Sequence, residues 1–518
     1  MSTQQIEYGD RVNGVAVHQE IERKLDVPAR FRLPELPHST ALPHLVLTAT
    51  YYDTDDLRLA RHRITMRRRT GGGDDGWHLK LPSTDDATRD ELHLPLDTPG
   101  EPPQTFVNMV KGITRGAPLA PVATLRNQRR PVALLDVDGT PLAELTDDHV
   151  SVLVDGKVRS RFREIEVEAA AGRTASDLDS IVNTLIAAGA KEGSFASKAV
   201  RALGPRATEA PDVGLPPVVG PDDRAADALH AHIVRQVAII QWQDLCIRRG
   251  LPDAVHQMRV ALRRLRSALK VFECLFVHEW AEPLRDELGV LAEELGVARD
   301  TEVLEARLLN AVSAMRKVTP ADRQAAEREV RAAMSRSAAR GRTRAAAALD
   351  SPRHTALLDA LVEAARSPRF TPAADASCRE VLLPLVRDAW NDLADDVKAL
   401  RRKGADEPWH RARIRAKRVR YAVDVLVPVF GKPATKFELR LSTITELLGQ
   451  HQDASIASVQ AHTIATHPKS AGAAGFVLGR LHAAMRAEVR QVRRDFLDTW
   501  PKVADPRLRR CLRKQESR

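Results

Sequence analysis

Aromatic residues and cysteines are scarce in this sequence. Only 4% of its 518 residues are aromatic, which argues against single-stranded nucleic-acid binding, because stacked rings usually supplement charge there. The cysteines are widely scattered and form no CxxC pair, so we expect no disulfide framework and no zinc knuckle. They are Cys246, Cys274, Cys378 and Cys511. This cysteine usage fits a reducing cytoplasm.

Long apolar runs and nucleotide-binding loops are also missing. The first residues show no basic-then-apolar signal pattern, and no run approaches the roughly 18 apolar residues of a membrane span. No Walker-type GxxxxGK[ST] motif occurs, and the glycine-rich GGGDDG at 71–76 lacks its Lys-Ser/Thr pair. We therefore expect a hairpin loop at 71–76, and neither export nor membrane insertion.

The charge that is present has a basic excess. The formal net charge is +10 and the isoelectric point is near 9.6, a balance that favours polyanionic partners. Because aromatic residues are few, phosphate without bases is the simplest such ligand. At 518 residues the chain is also too long for one ordinary core, so we expect more than one domain.

The character of the sequence changes near residue 206. Short segments with period-two alternation, separated by Gly, Pro and Asp turns, predict an antiparallel β unit over 1–205. The Pro- and Gly-rich stretch 206–222 predicts a linker. Long Ala/Leu/Arg/Glu segments with helical spacing predict an all-α unit over 223–505.

Charged residues alternate along the predicted strands. Residues i, i+2 and i+4 of a strand share a face, so Glu20, Glu22 and Lys24 of EIERK point the same way. Further alternating charges are Arg67 and Arg69 in RITMRRR, Lys80 in WHLKLP, and Glu164, Glu166 and Glu168 in FREIEVE. A solvent-facing sheet would explain any one strand, but not the separation of cationic from acidic strands. That separation suits a polyphosphate with a divalent cation, magnesium or manganese.

EIERK resembles the N-terminal ExExK motif of the CYTH superfamily, also called triphosphate tunnel metalloenzymes. Later segments follow the order of that family: YYDTDDLRLARHRITMRRR, WHLKLP, RDEL, RNQRR, LAELTDDHV, FREIEVE and GSFASKAVRAL. The resemblance covers residues 15–205. It implies an antiparallel β-barrel whose interior is a tunnel in which a triphosphate is hydrolysed with Mg²⁺ or Mn²⁺.

The resemblance also implies two groups of residues in the tunnel. The catalytic, substrate-contacting residues would be Lys24, Arg67, Arg69, Lys80, Arg129 and Lys198. The metal-binding residues would be Glu20, Glu22, Asp148, Glu164 and Glu166, with Glu91 supporting the substrate. Adjacent strand residues face opposite sides, so the choice of Arg129 over Arg130, and of Asp148 over Asp147, depends on family likeness. Glu168 is either a ligand or a structural neighbour.

The helical unit contains a polar internal repeat. A pattern of the form His-x-x-Arg-x-x-x-Arg/Lys-x-x-Arg begins at His256 and again at His410, and each copy is followed by an LGxxxD segment ending at Asp300 or Asp453. The repeat predicts two similar helical halves. At 100° per residue, the cations of the first copy fall within an arc of roughly 80°. The predicted basic stripes are His256, Arg259, Arg263, Arg266 and Lys270, and His410, Arg413, Lys417 and Arg420.

These stripes favour a polyanion over a solvated face, since solvated faces usually mix Glu with Lys. VHQMRVALRRLRSALKVF and HRARIRAKRVRYAVDVL resemble the histidine-led motifs of CHAD domains, the conserved-histidine α-helical domains, over about 223–500. The resemblance implies binding of inorganic polyphosphate. His256 and His410 have no second histidine or cysteine at metal spacing, so we interpret them as phosphate contacts, with a buried structural role as the alternative.

Three functions remain open at this point. The first is metal-dependent hydrolysis of inorganic triphosphate or short-chain polyphosphate, with the helical domain recruiting the polymer. The second is a class IV-type adenylyl cyclase or a thiamine triphosphatase, and the third is a non-catalytic polyphosphate-binding or granule-associated protein. The presence of both acidic and basic strands favours the hydrolase. We expect a cytoplasmic protein, associated with polyphosphate granules, with no specific nucleic-acid or membrane partner; the oligomeric state stays open.

Overall fold

A computed structural model describes residues 11–12, 15–82, 88–96, 100–194, 197–467 and 472–507; Cys511 lies outside them. The described residues form two compact units. One consists of the chain up to Asp212 together with Leu245–Leu251, and the other of Val213–Asp244 and the chain from Pro252 onward. The first boundary falls within the predicted linker.

The first unit is a closed antiparallel β-barrel. Its described strands are β1 (Arg11–Val12), β2 (Val15–Asp26), β3 (Ser39–Ala41), β4 (Leu45–Asp53), β5 (Thr65–Thr70), β6 (Gly76–Pro82), β7 (Thr88–Leu94), β8 (Ala120–Leu135), β9 (Pro141–Val154), β10 (Lys157–Ala169) and β11 (Lys191–Glu192). The order β2-β10-β9-β8-β4-β5-β6-β7 is closed by pairing of β7 with β2, whereas β1 and β11 extend from β2 and β3 pairs with β8. The predicted antiparallel β unit is confirmed, and 71–76 connects β5 to β6 as a hairpin loop.

Alternation along β10 gives the barrel wall two different faces. Ile165 and Val167 are fully buried and pack with Leu25, Leu145 and Leu185 in an apolar cluster outside the barrel. Each such side chain contributes roughly 1.5–3 kcal/mol by leaving water. The intervening glutamates of β10 therefore point into the barrel. The short helices around the barrel are α1 (Arg58–Arg61), α2 (Gln104–Met109), α3 (Lys111–Thr114), α4 (Asp179–Ala187) and α5 (Lys198–Leu203).

The first part of the predicted linker is held on the barrel unit. The Asp212 side chain is fully buried, and its carboxylate lies 2.5 Å from Arg115 Nη1 and 3.5 Å from Arg61 Nη1. The Arg61 guanidinium also donates to the carbonyl oxygen of Ala210. Arginines distant in sequence therefore neutralise Asp212, and the chain up to this residue is grouped with the barrel.

The second unit is all helical, as predicted, and only the last residues of its first helix, from Leu245 onward, are grouped with the first unit. Its helices are α6 (Ala225–Arg248), α7 (Ala254–Val271), α8 (His278–Glu294), α9 (Gly296–Ser313), α10 (Pro320–Asp350), α11 (Pro352–Arg366), α12 (Cys378–Lys398), α13 (Glu407–Phe430), α14 (Lys432–Ala465) and α15 (Ala473–Val503). Several begin at clear signals, such as the capping box of Ser377 and Glu380 before α12. In the chain as described, no helix has the length and apolar character needed to cross a membrane.

The internal repeat maps onto equivalent helices of the two halves. α7 carries the first histidine-led motif and packs against α13, which carries the second. The LGxxxD segments differ in setting. Gly296 begins α9 after a break from α8, whereas Gly449 lies inside the continuous helix α14.

Candidate functional sites in the barrel and the helical unit

The predicted cations of β5 and β6 lie inside the barrel, next to carboxylates. Arg67 Nη2 is 3.3 Å from Glu91 Oε1, and Lys80 Nζ contacts Glu20 and is 3.8 Å from Glu91 Oε2. Arg69 pairs with Asp74 of the 71–76 loop. Burial and the neighbouring Arg67 lower the pKa of Arg69 to about 9. Each of these three cations thus has a carboxylate partner, while Arg67 and Arg69 repel each other.

Carboxylates from β9 and β10 converge on Lys198 on the other side. Its Nζ lies 2.9 Å from Asp148, 2.8 Å from Glu164 and 2.7 Å from Glu166. Ser197 accepts a hydrogen bond from the backbone N–H of Val200 and so caps α5, which fixes Lys198 as the first residue of that helix. Three acidic side chains therefore surround a single ammonium group.

Arg129 and Lys24 connect to the same acidic cluster. Arg129 donates to both oxygens of Asp148, at 2.9 and 2.7 Å, and lies 3.2 Å from Glu166. Lys24 Nζ lies 2.9 Å from Glu22 and 3.6 Å from Glu166. The first motif, EIERK, is thereby joined to the last acidic strand.

The register decides which member of each adjacent pair faces inward. Arg129 stands opposite Asp148, and Arg130 stands opposite Asp147. Arg130 is exposed, and Asp147 instead binds Arg163 at 2.7 Å outside the acidic cluster. The structure therefore places the two residues chosen by family likeness inside the barrel. Glu168 shares the face of the other β10 glutamates and lies opposite Glu22.

Burial of so many charges shifts their pKa values. Burial raises the pKa of Glu20 to about 8, although Lys80 acts in the opposite direction. Burial alone would raise the pKa of Glu166 as well, but Lys198, Lys24 and Arg129 outweigh it and hold that pKa well below its usual value. Burial alone would lower the pKa of Lys198, but Asp148, Glu166 and Glu164 outweigh it and hold that pKa well above its usual value. The interior is a network of mutually compensating charges.

His78 is an interior residue to which the sequence assigned no role. Its Nδ1 lies 3.0 Å from Glu91 Oε1. Its Nε2 lies 3.0 Å from the carbonyl oxygen of Asp74, so each ring nitrogen faces an acceptor. Burial lowers the pKa of His78 to about 3, and a neutral ring donates to only one of the two. The alternation of WHLKLP places His78 on the face of Lys80, and this was the only signal available for it.

The acidic residues suit a divalent cation in chemistry. They offer carboxylate oxygens, the donors that Mg²⁺ and Mn²⁺ prefer, and Lys198 shows that three of them can surround one cationic point. As arranged, however, no group of three or more His, Cys, Asp or Glu side chains in the described part of the chain has metal-site geometry. The Lys198 ammonium occupies the position among Asp148, Glu164 and Glu166 that a cation would take.

The predicted stripes of the helical unit line a common cavity of about 1200 Å³. Both histidines and most of the predicted cations contribute to it: His256, Arg259, Arg263, Arg266, Lys270, His410, Arg413 and Lys417. Arg420 is absent from the lining, and its Nη1 instead donates to Thr445 on α14 at 3.2 Å. The cavity also contains cations that the motifs did not include: Arg285, Arg299, Arg307 and Arg418. Of these, Arg299 had a signal, since it directly precedes Asp300 in LGxxxD.

Several arginines of the cavity are only partly satisfied by hydrogen bonds. Six of its arginines have a buried Nε–H without a hydrogen-bond partner among the described residues: Arg259, Arg263, Arg266, Arg299, Arg307 and Arg413. A buried donor without an acceptor is destabilising by about 1–3 kcal/mol. Burial and the nearby Arg413 and Arg263 lower the pKa of Lys417 to about 7. The site can therefore offer both charge and unused donors to an anion.

The two histidines reach the cavity in different ways. His256 is exposed, which rules out the buried structural role considered for it. Partial burial and the cations Arg263 and Arg299 lower its pKa. His410 is half-buried, and its Nδ1 lies 2.9 Å from Gln452 Oε1.

Comparison with known proteins finds two domain families and a full-length relative. The sequence model of the CYTH domain family matches residues 18–202, and that of the CHAD domain family matches residues 231–462. The uncharacterized protein Rv2226 of Mycobacterium tuberculosis is 34% identical over 497 residues, which cover 90% of this chain and 93% of that protein.

Solved structures match the chain in part. PptA from Streptomyces chartreusis is 27% identical with a TM-score of 0.48, and the match covers 54% of this chain and all of that one. The CHAD domain from the plant Ricinus communis is 28% identical with a TM-score of 0.44, and the match covers 55% of this chain and 94% of that one.

Proposed function

The chain belongs to the family of proteins in which a CYTH domain is followed by a CHAD domain, and from this premise we propose that it is a metal-dependent triphosphatase that also binds polyphosphate. The barrel would hydrolyse inorganic triphosphate or short-chain polyphosphate. The helical unit would bind the polymer. The observation that carries the proposal is the barrel interior, where buried cations on β5 and β6 accompany carboxylates on β2, β9 and β10.

The cations would bind the phosphate oxygens of the substrate. Phosphate groups of one chain repel each other strongly when water is excluded, so their entry needs fixed positive charge. Burial would lower the pKa of Lys80, but Glu91 and Glu20 outweigh it and keep the ammonium protonated. The proposed substrate contacts are Lys24, Arg67, Arg69, Lys80, Arg129 and Lys198, with Glu91 and His78 orienting Arg67 and Lys80.

The carboxylates would bind the divalent cation. The proposed ligands are Glu20, Glu22, Asp148, Glu164 and Glu166. A magnesium or manganese ion held there would polarise the terminal phosphoryl group and align the attacking water. Lys198 and Arg129 currently neutralise the acidic cluster. Both are well placed to transfer their hydrogen bonds from the carboxylates to substrate oxygens.

The helical cavity would bind polyphosphate through its arginines. A phosphate chain offers acceptor oxygens along its whole length, whereas the cavity offers unpartnered Nε–H groups from both halves of the repeat. Arginine can bind two phosphate oxygens at once. Polyphosphate would thus relieve the mutual repulsion of the stripes on α7 and α13.

A phosphate-release assay tests the proposal. Inorganic triphosphate, thiamine triphosphate and ATP are compared with Mg²⁺ or Mn²⁺, and we expect the fastest release from inorganic triphosphate. Arg129→Ala should reduce release strongly, whereas Arg130→Ala, which changes an exposed residue on the same strand, serves as the matched control. No release from any substrate, together with retained polyphosphate binding, would instead favour the non-catalytic polyphosphate-binding protein.

A further inference from the structure

The two copies of the repeat hold their equivalent arginines differently. Arg259 of the first copy forms a two-pronged ion pair with Asp300, with Nη1–Oδ1 at 2.7 Å and Nη2–Oδ2 at 2.9 Å. Arg413 occupies the same position in the second copy and faces Asp453. Among the described residues, however, no carboxylate lies within ion-pairing distance of Arg413. Arg259 is therefore neutralised by a carboxylate, whereas Arg413 has no carboxylate partner among the described residues.

The glycines of the two LGxxxD segments also differ in how closely an arginine approaches them. A Cβ atom placed on Gly296 would lie 3.0 Å from Arg259 Nη2 and 3.5 Å from Asp300 Oδ2. A Cβ atom placed on Gly449 would meet nothing within 4 Å. Arg259 therefore lies against the backbone at the start of α9, whereas Arg413 does not approach the corresponding part of α14.

The Asp300 carboxylate uses the donors that a phosphate would use. Arginine binds carboxylate and phosphate through the same pair of parallel N–H donors. Arg259 and Asp300 both line the cavity. The Asp300 side chain is 68% exposed, whereas that of Arg259 is only 14% exposed. The aspartate can therefore swing into solvent while the guanidinium stays in place.

We propose that Asp300 is an intramolecular competitor of phosphate for Arg259, which leaves Arg413 and Lys417 of the second copy as the stronger phosphate contacts. This inference depends on the proposed binding of polyphosphate in the cavity. It makes the two halves of a repeated site unequal, since the first half becomes available only when the polymer displaces Asp300.

An opposite role for Asp300 would be to hold Arg259 ready for the phosphate. Removal of the carboxylate distinguishes the two roles by the direction of the change in polyphosphate affinity. If Asp300 competes with phosphate, its removal frees Arg259 and tightens binding. If Asp300 positions Arg259, its removal disorders the guanidinium and weakens binding. A general charge effect is the remaining alternative. Asp453→Asn controls for it, since it removes a carboxylate from the same cavity at the equivalent position without breaking an ion pair.

The experiment measures binding of long-chain polyphosphate to the full chain in EDTA, at pH 8 and several salt concentrations. Asp300→Asn should tighten binding roughly fivefold, the weight of one exposed ion pair, and more than Asp453→Asn. Because Arg259 is no longer neutralised by Asp300 in the free variant, its contact with phosphate should also steepen the salt dependence by roughly 0.7 in log–log slope, as for other flexible polyanions. Arg413→Gln should weaken binding more than Arg259→Gln does.

A double variant tests whether the effect passes through Arg259. In an Arg259→Gln background, Asp300→Asn should give no gain. The competitor role is overturned if Asp300→Asn weakens binding, if it gains no more than Asp453→Asn, or if its gain persists without Arg259. If the unmodified chain does not bind polyphosphate at all, the proposed function of the cavity fails first, and the competitor role with it.

Discussion

The Arg129 guanidinium binds both carboxylate oxygens of Asp148, its partner on the neighbouring strand, at 2.9 and 2.7 Å. The pair fixes which face of β8 and β9 forms the barrel interior, because the adjacent Arg130 and Asp147 turn to the other side. Asp148 is completely buried, so its charge depends on Arg129 and Lys198 for compensation.

Replacing Arg129 should damage both stability and catalysis. Arg129→Ala leaves part of the charge of Asp148 uncompensated and removes one of the proposed substrate contacts. We expect kcat/KM for inorganic triphosphate to fall by about a hundredfold, equivalent to about 3 kcal/mol of lost charge stabilisation, together with a lower Tm. Steady-state kinetics and thermal denaturation would measure these changes. Equal losses in Arg130→Ala would contradict the assignment of the inner face.

Replacing the proposed metal ligands should remove metal dependence without unfolding the barrel. Glu20→Gln and Glu164→Gln keep the size of each side chain but remove a carboxylate oxygen that could bind the metal. We expect turnover to be lost and Mn²⁺ binding to weaken at least tenfold, as is usual when support of a metal site is removed. Glu192→Gln, at an exposed position on β11, is the control. Full activity in both ligand variants would eliminate the proposed metal site.

Replacing Lys198 should make the barrel more dependent on metal. Three carboxylates lie within 2.9 Å of its Nζ, and removal of one partner from a buried ion cluster is destabilising by about 3–5 kcal/mol. Lys198→Met should therefore lower the Tm of the metal-free protein, and Mn²⁺ should restore it. Lys191→Met, at an exposed position, should show neither effect. A Tm of Lys198→Met that does not respond to Mn²⁺ would argue against a shared cation position.

Binding of polyphosphate should depend on pH through Lys417. Its pKa in the free protein is lowered to about 7, chiefly by burial and then by Arg413 and Arg263, with Asp453 opposing. Phosphate favours the charged form, so above about pH 7 binding requires uptake of a proton, and affinity should fall between pH 7 and 9. Calorimetry in buffers of different ionisation enthalpy measures the uptake. Lys417→Arg, which stays charged, should remove the slope; an unchanged slope would show that another group titrates.

The same pKa gives a prediction for stability. In the unfolded chain Lys417 titrates near its ordinary value, so between about pH 7 and 10 the unfolded state binds more protons than the folded state. The Lys417 contribution therefore destabilises the free protein fully below about pH 7 and is relieved as the pH rises. The free energy of unfolding of the Lys417→Met variant relative to the parent, measured at pH 6 and pH 9, should show a larger gain at pH 6. A gain that is equal at both values would contradict the shift.

The alternation of residues along a strand predicted which side chains share a face of the sheet, but not which residues of other elements they contact. The alternation of FREIEVE correctly separated Ile165 and Val167, which pack outside, from Glu164 and Glu166, which point inward. Period-two spacing cannot show, however, that these glutamates meet Lys198, because that contact joins a strand to a helix through the closure of the barrel. The family resemblance singled out Lys198, but only the structure shows which carboxylates it contacts.

The helical cavity shows the same limit. The 80° arc of the first motif identified residues that line it, but the arc does not reveal which helix covers its edge. Arg420 of the second motif faces Thr445 instead. Arg307 joined the lining without any motif to mark it, and Arg418 joined it from a position of the second motif outside the predicted stripe. The burial of Asp212 was likewise hidden, since its arginine partners are distant in sequence.

The central claim is hydrolysis of inorganic triphosphate in the barrel, and phosphorus-31 NMR tests it most directly. With Mg²⁺ or Mn²⁺, the full chain should convert triphosphate into equal amounts of pyrophosphate and orthophosphate, and the Glu20→Gln variant should not. Triphosphate signals that persist unchanged with the unmodified protein under both metals would contradict the account.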